Sequence, residues 1–179
     1  MRGRRRPVLV MAAVATWLVA GCATGSGPAP SGPQASAAPA ATVSAAVGQT
    51  RAELVRALGA LNLALADTQS PVRPAEAPLL AVAPRAVFQV TLPEDPNRGY
   101  IVVYELPDTT RAADAAAEQQ RYLESGPGRI QSPEGTVHVI RQVGSTVVLY
   151  DWLPGAARDP RAPDVQRALE TVGVGYPVG

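Results

Sequence analysis

The sequence predicts an α+β domain: a four-stranded, mostly antiparallel sheet with its helices on one face, the elements running α-β-β-α-β-β-α. Three observations carry that prediction. Two pairs of segments rich in β-branched and aromatic residues are each joined by turn-forming residues. An Ala-rich helical segment lies between the pairs, and amphipathic segments open and close the domain. Hairpins separated by helices suit an antiparallel sheet covered on one side.

The first helix is read over Thr50 to Ala66, where Leu54, Leu58, Leu61 and Leu65 fall on one stripe. Thr50 fits an N-cap and Glu53, three residues on, completes a capping box. Ser70 to Pro84 contains four prolines and reads as an irregular connection. Ala86 to Leu92 and Tyr100 to Leu106 read as strands, joined by the turn-rich run Pro93-Glu94-Asp95-Pro96-Asn97-Arg98-Gly99. Asp108 should cap a second helix that reaches Glu124. Its apolar side holds Ala112, Ala113, Ala116, Tyr122 and Leu123, small enough at one end to lie close on a sheet, and Ser125-Gly126-Pro127-Gly128 should stop it. Thr136 to Val143 and Thr146 to Leu153 form the second hairpin about a tight turn at Gly144-Ser145. A last helix starts at Pro163, buries Val165, Ala168, Leu169 and Val172, and closes at Gly173.

Ahead of residue 49 the chain is of another kind. Arg2, Arg4, Arg5 and Arg6 precede an apolar stretch from Val8 to Ala20, the order of an export signal over residues 1–21. The thirteen residues of that stretch fall short of the about 20 that a membrane-spanning helix needs. Residues 22–48 are almost all Ala, Pro, Ser and Gly after the cysteine, too poor in large apolar groups to offset their ordering entropy, and read as a tether. The domain proper is placed at 49–179.

All sixteen basic residues of the 179-residue chain are Arg, against fifteen acids. Losing the four in the export segment leaves twelve, a charge near −3. Scattered Arg on a slightly acidic domain give no footprint for nucleic acid. Cys22 is the one cysteine, so no internal disulfide supports the fold, and one Cys with one His cannot build the common zinc sites. No cofactor is expected.

The run Val19-Ala20-Gly21-Cys22, with Leu18 ahead of it, resembles the lipobox of bacterial lipoproteins. The resemblance implies that diacylglycerol is attached to the Cys22 thiol, that a signal peptidase cuts before it, and that the new amino group can be acylated. Two or more acyl chains give stable anchoring, whereas one is marginal. It further implies a protein of the cell envelope, outside the cytoplasm, with the membrane as its first partner and an envelope protein or peptide as a second. Arg5-Arg6-Pro7-Val8-Leu9 loosely resembles a twin-arginine export motif, and the general secretory route stays open beside it. Two further stretches, Ile101-Val102-Val103-Tyr104-Glu105-Leu106-Pro107-Asp108 and Arg141-Gln142-Val143-Gly144-Ser145-Thr146-Val147-Val148-Leu149-Tyr150, are similar to the soluble domain of a set of bacterial lipoproteins without an assigned function. That likeness implies no activity.

Few residues invite chemistry. His138 stands mid-strand, on the face of Ile140; no Gly-x-Ser-x-Gly accompanies it and the one Cys is assigned to the anchor, so it reads as a sheet residue. Glu94, Asp95 and Asn97 lack the spacing of a calcium loop and read as a solvated hairpin tip. Glu105, Asp114, Glu118, Glu124 and Asp151 could hold a carboxylate pair for glycoside hydrolysis, but acids at helical spacing read first as a wet face. Tyr100, Tyr104, Tyr150 and Trp152 could line a groove for a peptide or glycan, since aromatics bury large area with a polar tip. The sequence therefore favours a membrane-anchored, non-enzymatic binding or scaffold module. An envelope hydrolase is the rival, and a small-ligand or lipid carrier, which needs an apolar cavity between sheet and helices, is a third reading.

Overall fold

The computed structural model describes residues 44–179; Cys22, the export segment and most of the tether lie outside them. Helix α1 spans Ala45–Gly59, β1 Leu65–Asp67, α2 Pro78–Ala81, β2 Arg85–Val90, β3 Tyr100–Glu105 and α3 Thr109–Glu124. They are followed by α4 Gly126–Gln131, β4 Val137–Val143, β5 Thr146–Trp152, a 3₁₀ turn at Pro154–Ala156, α5 Ala162–Glu170 and β6 Val174–Gly175.

The α+β class and the antiparallel sheet are as the sequence predicts, but the sheet has six strands rather than four, ordered β1-β2-β3-β5-β4-β6. The two predicted hairpins form its centre. They meet through β3 and β5, so α3 carries the chain from β3 over to β4 with β5 between them, a split crossover. The extra strands, β1 and β6, have three and two residues and close the edges.

Helices cover both faces rather than one. One core layer joins Leu54 and Leu58 of α1 and Val165 and Leu169 of α5 to Phe88, Ile101, Val103, Val148 and Tyr150 of the sheet. The other joins Leu80 of α2 and Ala112, Ala115, Ala116 and Leu123 of α3 to Val102, Tyr104, Ile140, Val147 and Leu149. Neighbouring residues of β3 and β5 thus belong to opposite layers. Burial on both sides explains why those strands read Ile-Val-Val-Tyr and Val-Val-Leu-Tyr instead of alternating with polar residues.

Helix α3 follows the prediction closely. The Asp108 carboxylate accepts the Arg111 N–H at 2.8 Å, and Ala112, Ala115 and Ala116 are fully buried, Ala115 taking the place expected of Ala113, which is half-buried. Between those alanines and Leu123, Gln119 is also buried, and its amide holds the proline-rich connection: Nε2 donates to the Ala75 carbonyl and Oε1 accepts the Ala77 N–H, both at 2.7 Å. Ser125 ends α3 and at once caps α4. Gly128 has to be glycine, because a Cβ there would overlap the Tyr122 carbonyl.

Helix α1 differs at both ends. It begins at Ala45, where the Ser44 hydroxyl accepts the Val47 N–H at 3.1 Å, so residues 45–48 are helical rather than tether. Thr50 is not its cap but a buried residue whose hydroxyl meets that of Thr146 at 2.8 Å. The helix stops at Gly59; Leu61 lies beyond it and is exposed, and Leu65 belongs to β1. No helix among the described residues is long and apolar enough to cross a membrane.

Candidate functional site

The four aromatics singled out from the sequence do not share a surface. Tyr104 faces the α2/α3 layer and Tyr150 the α1/α5 layer, each almost without exposure, and Trp152 packs on the same side as Tyr150. Tyr100 begins β3 on the side of Val102 and Tyr104 and is half-buried. The thickness of the sheet separates the two pairs.

Each buried tyrosine has its own surroundings. The Tyr104 hydroxyl donates to Glu76 Oε1 at 2.6 Å, from which Arg85 Nη1 stands 3.7 Å, while Glu76 Oε2 accepts from Arg73 Nη1 at 3.1 Å. Burial, reinforced by the hydrogen bond to Glu76, pushes the Tyr104 hydroxyl above the usual tyrosine range. This cluster and Gln119 together pin residues 73–77 across the sheet. Tyr150 is likewise pushed up by burial, with a smaller push from Asp95 and Asp151. It lines a notch of about 30 Å³ with Asp95, Arg98 and Trp152, roughly the volume of one water molecule. The Trp152 indole N–H is directed instead to Gln166 Oε1 at 3.0 Å.

Glu94 and Asn97 of the acidic turn are exposed and Asp95 is half-buried, as a solvated tip requires, yet the turn is held in place. The Asp95 carboxylate accepts the Arg158 N–H, and the Glu94 N–H donates to Asp159, a buried residue that also accepts the Arg161 N–H. The turn is thereby tied to the loop between β5 and α5. No group of three or more His, Cys, Asp or Glu among the described residues is placed to hold a metal ion.

His138 takes the predicted face, beside Ile140, and acquires a partner. It stands opposite Asp151 on β5, with Nδ1 2.8 Å from Asp151 Oδ1. Side chains approach closely at such a position of an antiparallel ladder. The imidazole is a tenth exposed and Asp151 about a quarter. His138 lines two open concavities, of about 320 and 550 Å³, on either side of the last residues of the chain. Counting outward from the turn at Gly144-Ser145 sets His138 against Asp151, so this pair could have been found in the sequence.

Comparison with protein-family models, curated proteins and solved structures yields no match. Geometry is then the guide. A further concavity, about 540 Å³, opens where β1 ends and β2 runs on beyond it. Arg85, Asp67 and Glu105 line it, together with Ser44 and Val47 at the start of α1. The two Asp67 oxygens there accept from Arg51 Nε and Nη2, at 2.9 and 3.0 Å. An exposed pair of this kind contributes under about 1 kcal/mol. The other predicted acids lie apart: Glu105 ends β3, Asp114, Glu118 and Glu124 lie on α3, and Asp151 is occupied by His138.

Proposed function

We propose that this chain is a lipid-anchored lipoprotein of the bacterial cell envelope, held to the membrane through Cys22, whose α+β domain binds or scaffolds another envelope component. The observation that carries the reading is the run Val19-Ala20-Gly21-Cys22, which places the sole thiol of the chain directly behind a basic and then an apolar stretch. Binding rather than catalysis is favoured because the side chains best equipped for chemistry are committed to the fold. Tyr104 and Glu76 hold the proline-rich connection, Asp159 ties two loops, and Asp151 orients His138. What the domain offers a partner is its rim, where two strand edges open beside concavities of several hundred Å³.

The test compares the wild-type chain with Cys22→Ser in labelling by a radioactive fatty acid, in membrane fractionation and in cross-linked pull-down from native membranes. Wild type should take up label, sediment with membranes and enrich one envelope protein that Cys22→Ser loses. Equal fractionation of the two forms, without label, would sink the anchor. A labelled, membrane-bound chain that enriches nothing would sink the scaffold and leave the anchor standing.

A further inference from the structure

Strand β4 pairs with β5 along its whole length, yet among the described residues its other side meets β6 at Arg141 and Gln142, extended by one bond from Tyr176 to Ile140. The two-residue turn at Gly144-Ser145 decides which backbone groups face outward. It turns Val137, Val139, Arg141 and Val143 toward β5 and leaves His138, Ile140 and Gln142 directed at the edge. The Tyr176 N–H, which donates to the Ile140 carbonyl at 3.1 Å, agrees with that alternation. Among the described residues no strand stands opposite His138 on that side, and a concavity of about 320 Å³ lies directly outside.

Such an edge is a ready template for another strand. Val137 to Val143 reads Val-His-Val-Ile-Arg-Gln-Val, without the proline or lysine that commonly blunts an edge. What blunts it is the segment Val174–Gly179. After Val174–Gly175 pair with β4, the Tyr176 hydroxyl donates to Gln142 Oε1 at 2.9 Å. Pro177 carries no N–H and ends the pairing. The tail then crosses to α3, where Gln120 donates to the Pro177 carbonyl and the Gly179 N–H donates to Glu124. Entry depends on Gly173, whose φ of +53° and contact with the Gln142 carbonyl leave no place for a Cβ. Arg141 reinforces the bend, donating to the Val172 and Gly173 carbonyls at 2.6 and 2.9 Å. The backbone cover is short all the same: two paired residues and the Tyr176 bond, with Val174 61% exposed, although Tyr176 and Val178 pack on the α2/α3 layer.

We propose that Val174–Gly179 is a displaceable strap over the β4 edge, and that the edge beneath takes the β4 edge of a second copy. The edge is self-complementary. Antiparallel pairing centred on Ile140 sets His138 opposite Gln142 of the second copy, Val139 opposite Arg141 and Val137 opposite Val143. Each Arg141 therefore meets a valine, and no like charges face one another. Outward-facing His138, Ile140 and Gln142 supply the ladder bonds on both sides, and β6 has to leave for Gln142 to join.

The experiment uses the full chain bearing Cys22→Ser, compared with the same chain lacking residues 174–179 and with Gly173→Ala, which displaces the strap without shortening it. Sedimentation velocity over a range of concentrations reads the oligomer, and amide hydrogen exchange reads the interface. The parent should be monomeric and both variants should dimerise with concentration, with the His138 and Ile140 amides becoming protected in the dimer. Adding His138→Pro to the truncated chain removes an outward N–H and leaves the bonds to β5 in place, and should restore the monomer. The idea is overturned if folded variants stay monomeric, if they dimerise without protecting those amides, or if the parent already pairs through β4. A truncated chain that unfolds would also overturn it, since the strap would then be integral. One reading needs no variant: in the parent, the Tyr176 amide should exchange much faster than those of Val139 and Arg141, and equal protection would refute displacement.

Discussion

Replacing Gln119 with Leu isolates the device that fixes the proline-rich connection. The side chain is buried, and each end of its amide makes one bond of 2.7 Å to a backbone group of residues 75 and 77, themselves buried. Leucine keeps the approximate volume and removes both partners. A buried donor or acceptor left without a partner costs about 1–3 kcal/mol, so two of them cost roughly 2–6 kcal/mol. Burying leucine in place of an amide returns about 1–2 kcal/mol. The net expectation is a loss of about 1–4 kcal/mol, or about 4–16 °C in Tm at roughly 4 °C per kcal/mol. Urea unfolding followed by circular dichroism measures the loss, and hydrogen exchange at the Ala77 amide, which should quicken, locates it. A change within about 0.5 kcal/mol, the range of an ordinary surface substitution, would refute the argument that this amide holds the connection in place.

Other consequences follow from the same contacts. Glu76→Ala leaves the Tyr104 hydroxyl buried without an acceptor and should cost about 2–3 kcal/mol, discounted for the partial exposure of Arg73 and Arg85; combining it with Tyr104→Phe should recover about 1 kcal/mol in a double-mutant cycle. Gly128→Ala forces a methyl group into the Tyr122 carbonyl and should cost about 2–4 kcal/mol in denaturant titration, with the turn between α3 and α4 losing amide protection first. Burial raises both Tyr104 and Tyr150 above their unfolded value of about 10, so the native state keeps these protons after the unfolded state releases them. Their contribution is complete below about pH 10 and is lost as pH rises further. Tyrosinate absorbance at 295 nm from these two residues should therefore appear together with unfolding, and full ionisation in a folded chain would contradict it.

The parts of the fold legible in the sequence are those whose signals are local. Asp108 opens α3 because an acceptor side chain is needed there, and Gly144-Ser145 sets the register of β4 and β5, hence the meeting of His138 with Asp151. What escaped depends on contacts far apart along the chain. Three residues at Leu65–Asp67 and two at Val174–Gly175 are too short to show a period, and only pairing with β2 and β4 makes them strands. The second helical layer has its own signal in the sequence: Ile101–Val103 and Val147–Leu149 have no polar residue to face water. Thr50 misled because a hydroxyl suited to capping a helix serves equally well against Thr146 inside the core. The aromatic groove failed by parity, since Tyr104 and Tyr150 lie on different strands and nothing local tells that their faces are opposite.

The seam between β3 and β5 also bears on how the chain assembles. Each hairpin can zip from its own turn, a local event. Joining the hairpins requires the ends of the intervening stretch, which includes α3 and α4, to come together, and that loop closure is the principal entropic toll of the topology. Helix α3 lies over β4 and β5 and shortens the search by bringing the second hairpin back to the first. The rate-limiting ensemble should therefore contain both hairpins and a docked α3, while β1 and β6, which only trim the borders, fall into place on the downhill side.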